Sequence, residues 1–550
     1  MGKMMKRLIA VTMAIVMGVL LASCAARSEV PMESYAASEE AIFSTAPEDS
    51  YDAAPAEDYA AVPGDYYNES GGYTGESYIP IDENSEKPVE QDSVITFSLK
   101  VDTASYTNVE RYLQSGSLPP EDAVKTEEMI NYFNYDSNVE IGEHPFGIYT
   151  EIGKNPFDES KHMAFVRVKA QDVDKSELPA SNLVFLIDTS GSMDSYDKLP
   201  LLKEAFTLLT ETLDADDRVS IVTYAGSSAV VLDSAKGSDK YRILASIYNL
   251  EAGGSTAGAQ GIHTAYQLAE KNFIPGGNNR IVLATDGDFN VGLSGVEELE
   301  QFISTKRDNG IYLSALGFGT GNLQDSTMET LAKNGDGNYS YINSVSTANK
   351  VLVEELGSNL FTIADDVKAQ VEFNPENVKS YRLIGYENRQ LQDKDFDDDT
   401  KDAGEIGVGT DVVMLFELEL YDTGSYSGSN LKYGGNTDEV MVPAGTGEYA
   451  DELFEVRLRY KYPGGNQSNL ILAPVTYDRI ALQNSSDYNF ACAVAEFGGQ
   501  LRSSEYAAGA DPYTVMSIAG ANLGSDTGGY RQGFLELVAT YSDLMYYYYE

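Results

Sequence analysis

Between residues 181 and 365 the sequence alternates short apolar runs with amphipathic segments, and this alternation restricts the fold more than any other feature. The run NLVFLIDTS (residues 182–190) is apolar until its last three residues, as is typical of a parallel strand covered on both faces. The next segment, residues 198–213, carries Leu202, Ala205 and Leu209 at helical spacing. The sequence therefore predicts an α/β domain over residues 181–365, with a doubly wound, mostly parallel sheet.

Oxygen-bearing side chains stand where the predicted strands of this domain end. Asp188, Ser190 and Ser192 follow the first strand, and Asp286 follows a later one in TDGDFN. Thr256 opens a helix between them, in AGGSTAG. Because ligands of such sheets bind outside the carboxyl ends of the strands, we expect these five residues to converge on one edge.

The pattern D-T-S-G-S-M, followed by this Thr and by T-D-G, resembles the metal-ion-dependent adhesion site of von Willebrand factor type A domains. The resemblance implies that the Ser190 and Ser192 hydroxyls bind the ion and that Thr256 binds it directly or through water. It also implies that Asp188 and Asp286 act mostly through bridging waters. A type A fold that keeps these residues without holding metal is the alternative.

Neutral hydroxyl ligands indicate the chemistry of such a site. Mg²⁺ prefers six oxygens in octahedral geometry, and we expect Mg²⁺, or else Mn²⁺ or Ca²⁺, as the cofactor. With few charged ligands the ion stays electrophilic, so a carboxylate from a protein partner can complete its coordination. This is a binding chemistry, and it needs no nucleophile or general base.

The net charge of the chain narrows the classes of partner. With 38 Lys and Arg against 86 Asp and Glu, the formal charge is −48 at pH 7. Nucleic acid and anionic lipid headgroups are repelled by such a chain, whereas divalent cations and basic surfaces are attracted. We therefore expect no nucleic-acid partner.

The N-terminus predicts export and a lipid anchor. A basic start and an apolar run of signal-peptide length over residues 1–23 precede Cys24, and LASC resembles the lipobox of bacterial lipoproteins. An ordinary secretion signal with a chance cysteine is the alternative. Residues 24–92 are acidic and lack any helical or strand period, which predicts a disordered tether. We expect a cell-envelope protein held to the membrane by its lipid alone, with Cys492 a buried residue.

Upstream of the α/β domain the chain reads TFSLKVDTASYTNVERYLQSGSLPPEDAVKTEEMINYF, and downstream it reads DFDDDTKDAGEIGVGTDVVMLFEL and FACAVAEFGGQLRSSEY. These segments resemble the flanking regions of a bacterial lipoprotein family with a central type A domain. Residues 93–180 are predicted as an N-terminal flanking module and residues 366–550 as a C-terminal flanking region. Alternating patterns over residues 371–480 predict an antiparallel sandwich that upstream strands in HPFGIYTEIG and MAFVRVKA could join. The segment 485–550 predicts helices packed on that sandwich.

Other motifs in the sequence give little evidence for a further metal site or for an active site. The Asp-rich segment 393–402 lacks the glycine of a calcium loop and is interpreted as a solvated acidic turn, and Asp102 as a strand-end cap. The three histidines form no metalloprotease motif, so we expect no enzyme. A structural envelope scaffold, in which metal only stabilises loops, is the alternative function, and an envelope hydrolase is a weaker one.

Overall fold

The computed structural model describes residues 75–100, 102–255, 258–287, 296–401, 403–421, 426–427, 439–440 and 447–549. The strands, in chain order, are β1 (Lys87–Pro88), β2 (Val94–Ser98), β3 (Phe146–Lys154), β4 (His162–Ala170), β5 (Ser181–Asp188), β6 (Arg218–Tyr224), β7 (Ser228–Lys236), β8 (Asn278–Thr285), β9 (Tyr312–Phe318), β10 (Tyr339–Ile342), β11 (Thr362–Phe373), β12 (Val378–Ile384), β13 (Gln390–Leu391), β14 (Ile406–Gly407), β15 (Asp411–Leu420), β16 (Tyr426–Ser427), β17 (Glu439–Val440), β18 (Glu452–Lys461) and β19 (Ser468–Thr476).

The α-helices, in chain order, are α1 (Ala104–Gln114), α2 (Thr126–Asn131), α3 (Leu199–Thr212), α4 (Lys240–Tyr248), α5 (Gly258–Lys271), α6 (Val296–Arg307), α7 (Asp325–Asn334), α8 (Val345–Asn349), α9 (Leu356–Leu360), α10 (Ser486–Leu501), α11 (Pro512–Gly520) and α12 (Tyr530–Tyr549). In the described part of the chain, none of these helices combines the length and apolarity that crossing a bilayer requires.

The middle of the chain forms the predicted doubly wound sheet, in the order β10-β9-β8-β5-β6-β7. All neighbours are parallel except β6 and β7, which pair antiparallel at one edge, in agreement with the predicted mostly parallel sheet. Strand β5 is buried along its whole length because helices cover both faces. Its Phe185 packs with helices α3 and α4 on one face, and its Leu186 packs with α5, α6 and α7 on the other.

The two flanks together build one β-sandwich. Its sheets run β1-β12-β15-β4-β3 and β13-β2-β11-β18-β19, with β14 paired to β11. Each sheet mixes strands from before and after the α/β domain, as the upstream strand patterns suggested. The sequence predicts two separate flanking regions, residues 93–180 and 366–550. The structure joins them, because strands of the first region pair with strands of the second in each sheet.

A helical layer covers the outer face of one sheet. In β15, Val412, Met414 and Phe416 point into the sandwich core, whereas Val413 and Leu415 meet helices α1, α2 and α10 to α12. This alternation follows from the two-residue period of a strand with both faces buried. The predicted C-terminal helices are thus confirmed, and they pack with two upstream helices.

The last 18 residues of the predicted tether belong to the fold. We call residues 75–78 the strap: the Glu76 carboxylate pairs with both terminal nitrogens of Arg111 at 2.9 Å, and the Ser77 amide donates to the Leu323 carbonyl. Lys87 and Pro88 form β1. The tether predicted over residues 24–92 is therefore wrong for 75–92, because specific pairs fix this acidic stretch. Residues 24–74, with Cys24, and the signal segment 1–23 lie outside the described residues.

A buried cluster of charges, which we call the clasp, joins the α/β domain to both flanks. Lys125 Nζ lies 3.1 Å from Asp325 and 2.8 Å from Glu329 of α7. Arg389 contacts Glu329 at 3.2 Å and Asp102 at 2.7 Å. Asp102 also accepts the amide of Tyr339 in β10, so its interpretation as a strand-end cap misses its main role of linking chain segments.

The last helical segment of the α/β domain, residues 345–360, is interrupted. A π-helical turn, Lys350–Glu354, separates α8 from α9. The ammonium of Lys350 lies over the rings of Tyr132 and Tyr530 and pairs with Glu355 at 2.7 Å. We attribute the wide turn to this cation site, which ties the end of the α/β domain to the helical layer.

Candidate functional site

The candidate site lies at the carboxyl ends of β5 and β8. Asp188 is the last residue of β5, and the chain then turns through a short 3₁₀ segment, Gly191–Asp194. Two backbone hydrogen bonds fasten this turn to the next loop: Gly191 donates to Gly254, and Gly253 donates to Thr189. The loops are therefore held together by the backbone before any side chain contributes.

Asp188 is fully buried beneath the turn. One carboxylate oxygen accepts the Ser190 amide at 2.8 Å, and the other accepts the Thr285 hydroxyl at 3.0 Å. Burial raises the pKa of Asp188, and the nearby charge of Asp286 raises it further, although these hydrogen bonds oppose the change. The carboxylate is thus fixed in position, and a cation at this edge would stabilise its charged form.

The two serines lie at the spacing that an octahedral cation needs. Ser190 Oγ and Ser192 Oγ are 3.0 Å apart, with Ser190 buried and Ser192 exposed. Two adjacent oxygens bound at about 2.1 Å and at right angles would be about 3.0 Å apart. The pair could therefore bind one small cation with little rearrangement.

Asp286 completes the acidic side of the site. It follows β8, is fully buried, and accepts Lys198 Nζ at 2.9 Å. Burial alone would raise its pKa, but hydrogen bonds from Lys198, Ser192 and Asn322 lower it. These hydrogen bonds favour the charged form of Asp286, and the Ser192 hydroxyl links Asp286 to Ser190.

The structure brings together Asp188, Ser190, Ser192 and Asp286, whereas Thr256 lies outside the described residues. Across the described ranges, no group of three or more His, Cys, Asp or Glu side chains is placed to hold a metal. A cation at this edge would therefore depend on the serine hydroxyls. This donor set of two hydroxyls with flanking carboxylates fits Mg²⁺.

Sequence reasoning missed Lys198. Its side chain is buried and also donates to Asn322 Oδ1 at 3.2 Å. In the sequence it is only a lysine at the start of an amphipathic helix. No pattern signals its role, because the contact depends on how the β5, β8 and β9 loops meet.

A groove adjoins the site. It has a volume of about 530 Å³ and is lined by Thr189, Tyr241, Arg242 and Leu250 among others. Tyr241 on the groove and Tyr196 beside the turn are each 87% exposed. Exposed tyrosines beside an anchoring site are typical of protein-binding surfaces.

The other motifs lie away from this edge. In the Asp-rich segment, Asp397 and Asp399 pair with Arg459 at 3.1 Å, and Lys368 binds carbonyls of the same turn. The segment is an acidic turn, as predicted, but protein cations neutralise it and Asp395 is buried, so it is not simply solvated. Asp402 is outside the described residues. Cys492 is buried, as predicted, and burial raises the pKa of its thiol.

Three family models match the chain. A model described as von Willebrand factor matches residues 73–165, and the von Willebrand factor type A domain matches residues 182–355. A model described as Uncharacterized protein YfbK, C-terminal, matches residues 358–544. The match over 182–355 contains the candidate site, and confirms the predicted type A domain.

Solved structures align with this chain at low TM-scores. A von Willebrand factor type A protein from Catenulispora acidiphila covers 72% of this chain and 91% of its own, at 16% identity and a TM-score of 0.38. The ArnB paralog VWA2 from Sulfolobus acidocaldarius covers 73% and 97%, at 14% identity and a TM-score of 0.35. The assignment to a family therefore comes from the sequence matches.

Two sequence relatives show how far the similarity extends. Inter-alpha-trypsin inhibitor heavy chain H3 from Bos taurus is 28% identical over 265 residues, which cover 47% of this chain and 27% of that protein. Uncharacterized protein YfbK from Escherichia coli (strain K12) is 43% identical over 468 residues, covering 84% of this chain and 80% of that protein. The chain belongs to the YfbK family, with a von Willebrand factor type A domain at its centre.

Proposed function

We propose that this protein is a cell-envelope lipoprotein that binds a protein partner through a divalent cation at the edge formed by β5 and β8. The observation that carries the proposal is the Ser190–Ser192 hydroxyl pair, 3.0 Å apart and flanked by two buried carboxylates, inside a type A domain. Mg²⁺ suits this donor set, with Mn²⁺ and Ca²⁺ as alternatives.

The residues of the site would have two different roles in binding a cation. Ser190 and Ser192 would supply hydroxyl ligands, with Thr256 as a third. Asp188 and Asp286 would orient bridging waters, since both carboxylates are held by protein hydrogen bonds. A bound cation would supply an open coordination position for a carboxylate oxygen of the partner.

The charge of the protein restricts the partner. At a net charge of −48, an acidic surface would be repelled as it approached. The favoured partner therefore presents one carboxylate surrounded by basic or neutral residues. Tyr241 and Tyr196 offer exposed aromatic area beside the site for the remaining contacts.

Localisation and chemical class follow from the sequence. We propose that cleavage after residue 23 exposes Cys24 for lipidation, and that this lipid alone attaches the protein to the membrane, outside the cytoplasm. We also propose a binding protein and not an enzyme, because the hydroxyl and carboxylate groups of the site suit the holding of a cation.

Capture of a partner from envelope extract tests the function. The chain from residue 25 onward keeps the whole described fold and should retain a partner in Mg²⁺ but not in EDTA. Asp188→Ala should abolish capture while circular dichroism stays native. The matched control is Asp194→Ala, an exposed aspartate of the same turn, which should capture normally.

A structural scaffold is the second candidate. It is favoured by the backbone bonds that already join the site loops, because a cation there could simply stiffen them. In that case EDTA would lower the melting temperature while partner capture persisted. Capture that is indifferent to EDTA and to Asp188→Ala would contradict the metal-dependent function.

A further inference from the structure

Lys198 is built into the candidate metal site. It directly precedes α3, and its side chain is buried, with Nζ 2.9 Å from Asp286 Oδ2 and 3.2 Å from Asn322 Oδ1. Lysine is rarely buried unless its charge is paired. Here the paired carboxylate is one of the two acidic groups that a cation at Ser190 and Ser192 would use.

The loop after β9 makes room for this lysine. Gly319 has a φ of +74°, and a Cβ at this position would collide with Cγ, Cδ and Cε of Lys198. The Gly319 carbonyl also accepts the Tyr341 hydroxyl at 2.6 Å, which fixes the loop. The path of the lysine stem is therefore set by a glycine in the loop after β9, so the position of the ammonium is fixed by the fold.

The charges at the site show what this placement does. Asp188 and Asp286 supply two negative charges and Lys198 supplies one positive charge, so the site has a net charge of −1 when both carboxylates are ionised. A divalent cation bound at the serines would be repelled by the ammonium and would share Asp286 with it. The cation would also stay more electron-deficient, which strengthens its attraction for a partner's carboxylate.

We propose that Lys198 is an internal counter-cation of the metal site, which weakens the binding of divalent ions and thereby keeps a bound ion available to the partner's carboxylate. The inference rests on the proposed metal-dependent function and adds a residue that regulates the affinity of the site for divalent ions. The site fills only where divalent ions are abundant. When the site is empty, the lysine compensates Asp286 and keeps the loops in place.

Calorimetric titration with MgCl₂ alone tests the proposal without a partner. Lys198→Met and Lys198→Gln should each bind Mg²⁺ about tenfold more tightly or better, since a neighbouring opposite charge changes a carboxylate's proton affinity by roughly that factor or more. The glutamine variant keeps a donor toward Asp286 and covers the case in which the methionine variant does not fold. The matched control is Lys240→Met, whose ammonium binds backbone carbonyls at the other end of α3 and whose loss should leave Mg²⁺ affinity unchanged.

Melting temperature gives an independent readout. In EDTA the Lys198 variants should melt below the wild type, and Mg²⁺ should raise their melting temperature by more than it raises that of the wild type. If the wild type binds Mg²⁺ and the variants bind no more tightly, the role of Lys198 is wrong while the proposed function stands. If none of the proteins binds Mg²⁺, Mn²⁺ or Ca²⁺ in the same titration, both proposals are overturned.

Discussion

Removal of Lys125 from the clasp should destabilise the protein severely. Its ammonium is buried and has three carboxylates within 3.6 Å: Glu329 at 2.8 Å, Asp325 at 3.1 Å and Glu128 at 3.6 Å. Breaking a buried ion pair by removing one partner costs about 3–5 kcal/mol, because the remaining charge is left uncompensated. Lys125→Met should therefore lower the free energy of unfolding by that amount.

The charge count of the clasp supports this magnitude. Burial raises the pKa of Glu128 to about 8, so this residue is mostly protonated at pH 7. Burial also raises the pKa of Asp325, which Lys125 opposes. With Asp102, Asp325 and Glu329 ionised, three negative charges face the two positive charges of Lys125 and Arg389. Loss of Lys125 changes the net charge from −1 to −2 with no access to water.

The contribution of Lys125 to stability depends on pH. Interactions with the carboxylates raise the pKa of Lys125 above 10.5 in spite of its burial. Its stabilising contribution is thus complete below pH 10.5 and is lost as the pH rises through the higher folded value. In Lys125→Met the deficit should shrink in acid, because protonation removes the uncompensated charges.

Urea unfolding followed by circular dichroism measures the effect. The control is Lys379→Met, which breaks a half-exposed pair with Glu419 and should cost at most about 1 kcal/mol. If Lys125→Met unfolds within 1 kcal/mol of the wild type at pH 7, the clasp does not hold the domain and flanks together, and the reasoning is refuted.

Two further predictions concern the flanks. Burial, with a smaller contribution from Lys154, lowers the pKa of His162 from 6.5 to about 4. The free energy of unfolding of the wild type should therefore fall by roughly 2–3 kcal/mol between pH 6.5 and 4, and His162→Gln should lose this acid sensitivity in urea titrations. An unchanged pH profile in the variant would contradict the assignment. Glu76→Gln removes the carboxylate that Arg111 holds, so the Ser77 amide should exchange with deuterium much faster than in the wild type while amides of β5 are unaffected. Equal protection at Ser77 would show that the strap does not depend on this pair.

The elements that sequence predicts well are those with a clear period. Strand β5 is continuously apolar because helices cover both of its faces, and β15 is apolar at successive positions because it faces a second sheet and a helical layer. The motif at Asp188, Ser190, Ser192 and Asp286 is likewise visible, since each residue ends a predicted strand or follows one. Thr256, the metal and the lipid anchor stay predictions.

The features that sequence did not predict depend on single long-range contacts. The strap has the composition of a disordered segment, and long-range contacts order it, among them the Glu76–Arg111 pair and the hydrogen bond from the Ser77 amide to Leu323. Lys198 reaches Asp286 because Gly319, in the loop after β9, leaves it space. None of these contacts has a period or a local signal, so all of them require the assembled fold.

The mixed origin of the sandwich strands also determines the order in which the chain can fold. Strand β2 lacks its neighbour β11 until residue 373 has been made and its neighbour β13 until residue 391, and the β3–β4 hairpin waits for β15. The type A domain lies between the two flanks, and its paired strands are closer to one another in sequence, so it can fold first. While the type A domain is being made, the hairpin exposes apolar residues on both faces, so this stage of synthesis carries a risk of aggregation.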